Sequence, residues 1–557
     1  MTIEEGRTLP IGVSIIDEKV NFSVSVARDK ACSLLLYKKG EDIPVREIPM
    51  PHGVGDIRCI RLVEVPKDYE YNYLVEGRLF VDPYVKSLVG RENWNQKIEP
   101  ASHQVKGRVY TKNFDWKGDK SPGITHDLTV AYSLHVRGFT KHDSSKVRHK
   151  GTFEGILEKL PYIKSLGINQ LQCMPIYDFI EQSNPINYWG YGEGYFFAPK
   201  GAYAAKKDAT LSLKELVLGL HKSGIELVLE MPFTKDISED MVLSCLRHYV
   251  CEYHIDGFIL NPSWVQLHQL KKDPVLAGVK LFTHDTRVQN ILRRFLKGDE
   301  GMVADVMREI VSTDEKNEHF CCITSHTGFT LKDLVSYDGK HNEENGENNT
   351  DGPELNYSWN CGMEGPTRKK SVTKLRHIQI RNAFFLLLLS KGTPCILAGD
   401  EFENSQNGNN NAYCQDNLVS WLDWRLVEHN KEQVQFVRDL IAFRKKHQIL
   451  SSGQIPRRSP YERDRIPQIS FHGTSLWKAP IEIASRILGV CYSEKESLYL
   501  AFNMHWMSHE FALPREKNKN WYLVADTKEG IRKEPLLLKN QERVELEERS
   551  IKVIIGI

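Results

Sequence analysis

Several features are scarce in this sequence. Net charge is only +1, with 74 Lys and Arg against 73 Asp and Glu. No strong field therefore draws the chain to nucleic acid or to an anionic membrane surface. No apolar run approaches the ~20 residues of a spanning helix. The longest, AFFLLLLS at 383–390, is expected to be a buried barrel helix, and no membrane partner follows from it. The eleven cysteines are odd in number, form no CxxC pair and fall mostly in apolar runs, as at Cys173, Cys361 and Cys395. Reduced core thiols are expected, with no disulfide framework, metal site or cofactor. The opening MTIEEGRTLP lacks the basic and apolar segments of a secretory signal, so a cytoplasmic location is expected. What is present is an ordinary soluble composition, 41% hydrophobic and 26% charged. Its 557 residues suffice for about three to four domains.

Three regions differ in pattern. Over 1–120, Val20, Phe22, Val24 and Val26 alternate, and Leu34, Leu36, Tyr71, Tyr73 and Val75 continue the period of two, which predicts a β-sandwich. Over 121–454, short apolar strands alternate with amphipathic helices. The strands are expected at 128–136, 168–176, 225–233, 255–261, 279–284 and 393–402, and a helix at 153–167 ends on Gly167. Such repetition predicts an α/β fold, a (β/α)8 TIM-type barrel, with functional residues at the C-terminal ends of its strands. Over 455–557, strands at 496–505, 520–527 and 550–557 predict a C-terminal antiparallel β-sandwich, and the Lys- and Glu-rich 528–549 a solvated loop and edge region.

Long phrases in this order resemble the isoamylase and glycogen-debranching branch of the α-amylase superfamily, glycoside hydrolase family 13. They include AYSLHVRGFT (131–140), NYWGYGEGYFFAP (187–199), SYDGKHNEENGENNTDG (336–352), GTPCILAGDEFENSQNGNNNAYCQDN (392–417) and SWLDW (420–424). The N-terminal region, closing on VDPY, is similar to the family's glucan-binding module. Here that module either binds glucan or only packs on the barrel. The resemblance implies an α-glucan ligand, glycogen, starch or maltooligosaccharide. It places Tyr188, Trp189 and Tyr191 on the sugar, with His326, Asp400 and Glu401 as further substrate-binding residues.

Retaining glycoside cleavage needs two carboxyl groups about 5 Å apart, and the family adds a third carboxylate and an arginine beside the nucleophile. The corresponding phrases are HIDGFILN, DPVLAGVKLFTH and SHTGFTL. They put Asn261 at the nucleophile position, His284 at the acid/base, Thr327 at the third carboxylate and Ile259 at the arginine. Thr234 and Lys235 also depart from the pattern, and the loop from Asn261 to His284 is short for the family. An amide is a poor nucleophile, so no catalytic residue is intact. Glu230, Asp285 and Asp178 are other carboxylates, none at a position with the family's geometry. His284 and His326 lack an evident third metal ligand and are expected to be polar lining.

The expected protein is thus a non-catalytic debranching-enzyme relative that binds α-glucan or regulates an active debranching paralogue. Two alternatives stand beside it: an active α-1,6-glucosidase with another constellation, and an interaction scaffold that binds no sugar.

Overall fold

In a computed structural model, all residues are described except 52, 67–68, 99–101, 110–112, 312–318, 452–466, 494–495 and 517. The boundary expected at 454–455 lies outside the described residues.

The N-terminal strands form two packed antiparallel sheets. One orders Thr2–Glu5, Ile57–Val63, Lys19–Ser25 and Gly12–Ile16; the other centres on Cys32–Tyr37 and Glu70–Val75. Val20, Phe22, Val24, Leu34, Leu36, Tyr71 and Tyr73 share the core between them. The alternate residues Asn21 and Ser23 are buried too, because they bond the backbone of Arg7 and Thr8.

The central sheet is parallel throughout. Neighbouring strands run Lys280–Phe282, Gly257–Leu260, Glu226–Met231, Gln170–Cys173, Ala131–Leu134 and Cys395–Leu397. Parallel bridges from Thr283 to His319 and from Cys321 to Pro394 close the ring. The Cys321 N–H donates to Thr393 at 2.7 Å and the Cys395 N–H to Cys321 at 2.7 Å. This is a (β/α)8-type barrel, closed among the described residues by these six strands and the bridging segment at 319–321. Among the described residues between Phe282 and His319 there are only the helices Thr286–Lys297 and Val303–Val311. Ala131, Val228, Ile259, Phe282, Phe320, Cys322 and Cys395 pack into an apolar plug inside the ring.

Two local expectations change. The helix expected at 153–167 is two helices, Phe153–Glu158 and Leu160–Leu166. Pro161 has no N–H to continue the first and a fixed φ suited to starting the second. Gly167 ends that second helix at φ 93°, where a side chain would be strained. The segment 528–549, expected as loop and edge, contains an edge strand, Gly530–Leu537, and a further strand, Arg543–Leu546. The buried helix around 383–390 is Lys370–Leu389, and among the described residues no helix is long and apolar enough to cross a membrane. The eleven cysteines are unpaired.

The C-terminal sheet orders Ile469–His472, Ile487–Ser493, Ser497–Asn503, Ser550–Gly556, Trp521–Asp526 and Gly530–Leu537. Its strand Ser497–Asn503 is buried on both faces. Leu498, Leu500 and Phe502 join the barrel's core, while Tyr499 and Ala501 face the two-stranded sheet His509–Ala512 and Arg543–Leu546. The sandwich is therefore welded to the barrel through alternate side chains.

Candidate functional site

The strand Glu226–Met231 is buried along its whole length, and alternation turns Val228 and Glu230 the same way, into the ring. Glu230 is 7% exposed and lies opposite Ile259 in register. Ile259, expected at the family's arginine position, belongs to the apolar plug. A buried carboxylate without that arginine needs other partners, and it has them. The Tyr191 hydroxyl donates to Glu230 Oε1 at 2.6 Å. His284 Nε2 lies 3.4 Å and His326 Nε2 3.9 Å from the same oxygen. His326 Nε2 is also 2.6 Å from the Tyr191 hydroxyl oxygen. With Tyr191 donating to the carboxylate, that oxygen accepts from His326 Nε2–H, giving a chain His326–Tyr191–Glu230–His284.

The electrostatics follow from this chain. Burial opposes charge on Glu230, but the facing His326 and His284 rings and the Tyr191 hydroxyl outweigh it and hold the carboxyl down to about 2. Burial pushes His326 down, so near neutral pH it is a neutral donor. Burial also opposes charge on His284, yet its bond to Glu230 carries it above its ordinary value. Half-exposed His284 is therefore the ring of the cluster that Glu230 draws toward the charged form.

The other residues expected at family positions lie apart from this hydrogen-bonded chain. Asn261 is exposed, and its Oδ1 accepts from the Ser263 N–H at 3.0 Å. Thr327 is exposed, and its carbonyl accepts from the Ser325 hydroxyl at 2.9 Å. Thr234 and Lys235 are exposed as well. The two other candidate carboxylates are committed elsewhere. Asp285 caps the helix Thr286–Lys297 through the Arg287 N–H at 2.8 Å. Asp178 is fully buried against Arg91 at 2.5 Å, in a network with Lys200 and Glu181.

Asp400 and Glu401 call for a correction. Expected on the substrate, they lie inside the protein at 3% and 0% exposure. Asp400 accepts from the Thr324 hydroxyl and from the Leu331 N–H at 2.8 Å. Glu401 accepts from Tyr132 and Tyr162, each at 2.8 Å, and from the Gly399 N–H at 3.0 Å. With their oxygens engaged in the fold, they brace the last strand's loop instead of presenting acceptors to a ligand. Burial raises Asp400 to about 7 against the pull of Thr324 and Leu331. Its folded value exceeds the unfolded one, so its contribution to stability is full below about pH 4 and is lost as pH rises through 7. Wild type is expected to lose about 2 kcal/mol more between pH 5 and pH 7 than Asp400→Asn, read as the change in urea midpoints.

Tyr188 is also enclosed. It is 1% exposed, with its ring 4.1 Å from that of His135. A Cβ on Gly138 would come within 2.4 Å of its hydroxyl, so only glycine fits there. Burial holds His135 neutral, down to about 3. Tyr188, Trp189, His135 and His326 line an inner cavity of about 60 Å³, room for about two waters.

Outside this wall the surface opens. A groove of about 700 Å³ is lined by Asn184, Asn187, Trp189, Tyr191, Glu347, Asp351, Asn411 and Tyr413. Trp189 is 6% exposed, so the reachable rings are Tyr191 and Tyr413, both half-buried. Tyr413 is anchored by the Tyr188 N–H on its carbonyl at 2.9 Å and by its hydroxyl on Glu347. Sequence reasoning passed over Tyr413, although it stands in the quoted NNNAYCQDN phrase. The asparagines before it tie loops together: Asn410 pairs with Asn342 and Asn356, and Asn411 with Asp351. A larger cavity, about 800 Å³, lies at the opposite end of the barrel beside Asp119, His254 and Asp256, away from every expected site residue. Among the described residues no group of three His, Cys, Asp or Glu is placed to hold a metal ion.

Comparison with known proteins agrees with this architecture. Residues 110–235 match the Alpha-amylase family model, described as Alpha amylase, catalytic domain. The chain is 27% identical to Isoamylase SU1, chloroplastic, of Zea mays, over 94% of this chain and 84% of that protein. It is 26% identical to the Glycogen operon protein GlgX homolog of Mycobacterium tuberculosis H37Rv, over 95% and 94%. In three dimensions it resembles pullulanase type I from Bacillus subtilis, solved with maltose, at a TM-score of 0.75 and 17% identity, covering 98% of this chain and 85% of that one.

Proposed function

We propose that this relative of isoamylases and GlgX proteins does not hydrolyse glycosidic bonds. In this reading it binds α-glucan in the outer groove and modulates glycogen or starch trimming by an active debranching enzyme. One observation carries the non-catalytic part. Glu230 is the one carboxylate among the clustered residues, and its Oε1 is bonded to Tyr191 and faces His284 and His326. Retaining cleavage needs a second carboxyl about 5 Å away, and the family's acid positions hold Asn261, His284 and Thr327. The relatives' names support α-glucan as the ligand, and the groove supplies ring faces beside amides and carboxylates, as a sugar requires.

Affinity electrophoresis through glycogen-containing gels tests binding. The protein is expected to be retarded, and Tyr413→Ala to weaken retention about ten-fold. An unretarded wild-type band would remove the glucan reading and leave a scaffold. The modulating role is tested by adding equimolar protein to a purified isoamylase acting on glycogen. An unchanged rate of branch release would count against it.

A further inference from the structure

A second cleft opens on the same rim of the barrel, where the strand Gly257–Leu260 ends. The turn ILNPSW is closed by the Asn261 carbonyl, which accepts the Trp264 and Val265 N–H groups, each at 3.1 Å. Val265 is buried and pins the turn, and this throws Trp264 outward with 49% of its surface exposed. The indole stands over a cleft of about 450 Å³ between this turn and the start of the helix Glu239–Tyr253. The floor is apolar, with Val242, Leu243 and Leu270. The rim alternates acceptors and donors: Glu239, Asp240, Gln266, Gln269 and Lys272. None of these residues is part of the Glu230 cluster or of the outer groove.

We infer that this cleft is a second α-glucan site, distinct from the groove at Tyr191 and Tyr413. The inference rests on the glucan reading given above. Its size falls within the roughly 300–1,000 Å³ of small-ligand sites. An exposed indole supplies an apolar face for a pyranose ring. Amides and carboxylates side by side pair with neighbouring hydroxyls, which both donate and accept, and the exposed Glu239 and Asp240 are accessible to do so. Two sites on one rigid barrel would engage one branched polymer together and raise its retention without any new contact at either site.

Titration calorimetry with maltoheptaose, and affinity electrophoresis in glycogen, test this on the full chain. Wild type is expected to bind two maltoheptaose molecules, and Trp264→Ala one. Retention by glycogen is expected to fall about ten-fold or more in Trp264→Ala as bivalency is lost, and to recover in part in Trp264→Phe. Because Trp264 is half exposed, the unfolding midpoint should not move, and a constant midpoint separates lost binding from lost folding. A wild type retained by glycogen, with one maltoheptaose site and an unaffected Trp264→Ala, overturns the second site and leaves the glucan reading standing. A cleft that takes an arginine-rich peptide in place of maltoheptaose overturns it too. A wild type that glycogen does not retain at all fails the glucan reading itself, and the second site with it.

Discussion

Purified protein, free of host amylases, is expected to release reducing ends from amylopectin and limit dextrin no faster than buffer alone. The size of the effect follows from what is absent. Removing one catalytic group from a hydrolase commonly costs on the order of 10⁴–10⁶ in turnover. In the proposed reading the three acid positions hold Asn261, His284 and Thr327, and the arginine position holds Ile259. The structure adds a steric reason. The Tyr191 hydroxyl occupies the space between Glu230 and His326. For the same reason the reversion Asn261→Asp, His284→Glu, Thr327→Asp with Ile259→Arg is expected to stay inactive. Residue 261 points its side chain back at Ser263, and a guanidinium in place of the Ile259 side chain would have to enter an apolar plug. Turnover by wild type that disappears in Glu230→Gln would reveal a relocated catalytic carboxylate and end the non-catalytic reading.

Replacing Glu230 with alanine is expected to destabilise the barrel by about 3 kcal/mol at pH 7, the cost of breaking a buried charged cluster from one side. Tyr191 and His326 would keep each other but lose their acceptor, and His284 would lose its carboxylate partner. His284 is 40% exposed, so its share is the smaller, solvent-screened one. Glu230→Gln keeps an acceptor for Tyr191 and should cost less. The pH dependence carries a definite sign. Glu230 is held at about 2 in the fold and titrates near its ordinary value when unfolded. Its stabilisation is present above about pH 4.5 and is lost as pH falls toward 2. The gap between wild type and Glu230→Ala in urea midpoint should therefore be widest near neutrality and close in acid. A gap that stays constant from pH 7 to pH 3 would mean that the carboxylate is not charged in the folded protein.

Much of the architecture was legible in the sequence because it rests on periodicity. The alternation at Val20, Phe22 and Val24 placed a sandwich strand, and the apolar runs at 225–233 and 255–261 placed barrel strands. Burial on both faces leaves an unmistakable apolar stretch. Shorter-range physics was legible only in part. Pro161 signals a break, yet the apolar pattern continues across it and masks two helices as one.

The site divides in the same way. Sequence alone determined which side chains are available, since no fold turns Asn261 or Thr327 into an acid or Ile259 into a cation. It also supplied the aromatic segment and the asparagine-rich loop. Which side chains meet was a tertiary outcome. Glu230, Tyr191, His284 and His326 come from four separate stretches, and nothing in their spacing says that one phenol bridges two of the others. Asp400 and Glu401 look alike in sequence to ligand-facing acids. Only packing, which buries them under Tyr132, Tyr162 and Thr324, decides that they brace the fold. Residue identity sets what chemistry a side chain has available, whereas burial and neighbours, fixed only when the ring closes, set whether that chemistry faces a ligand or the interior.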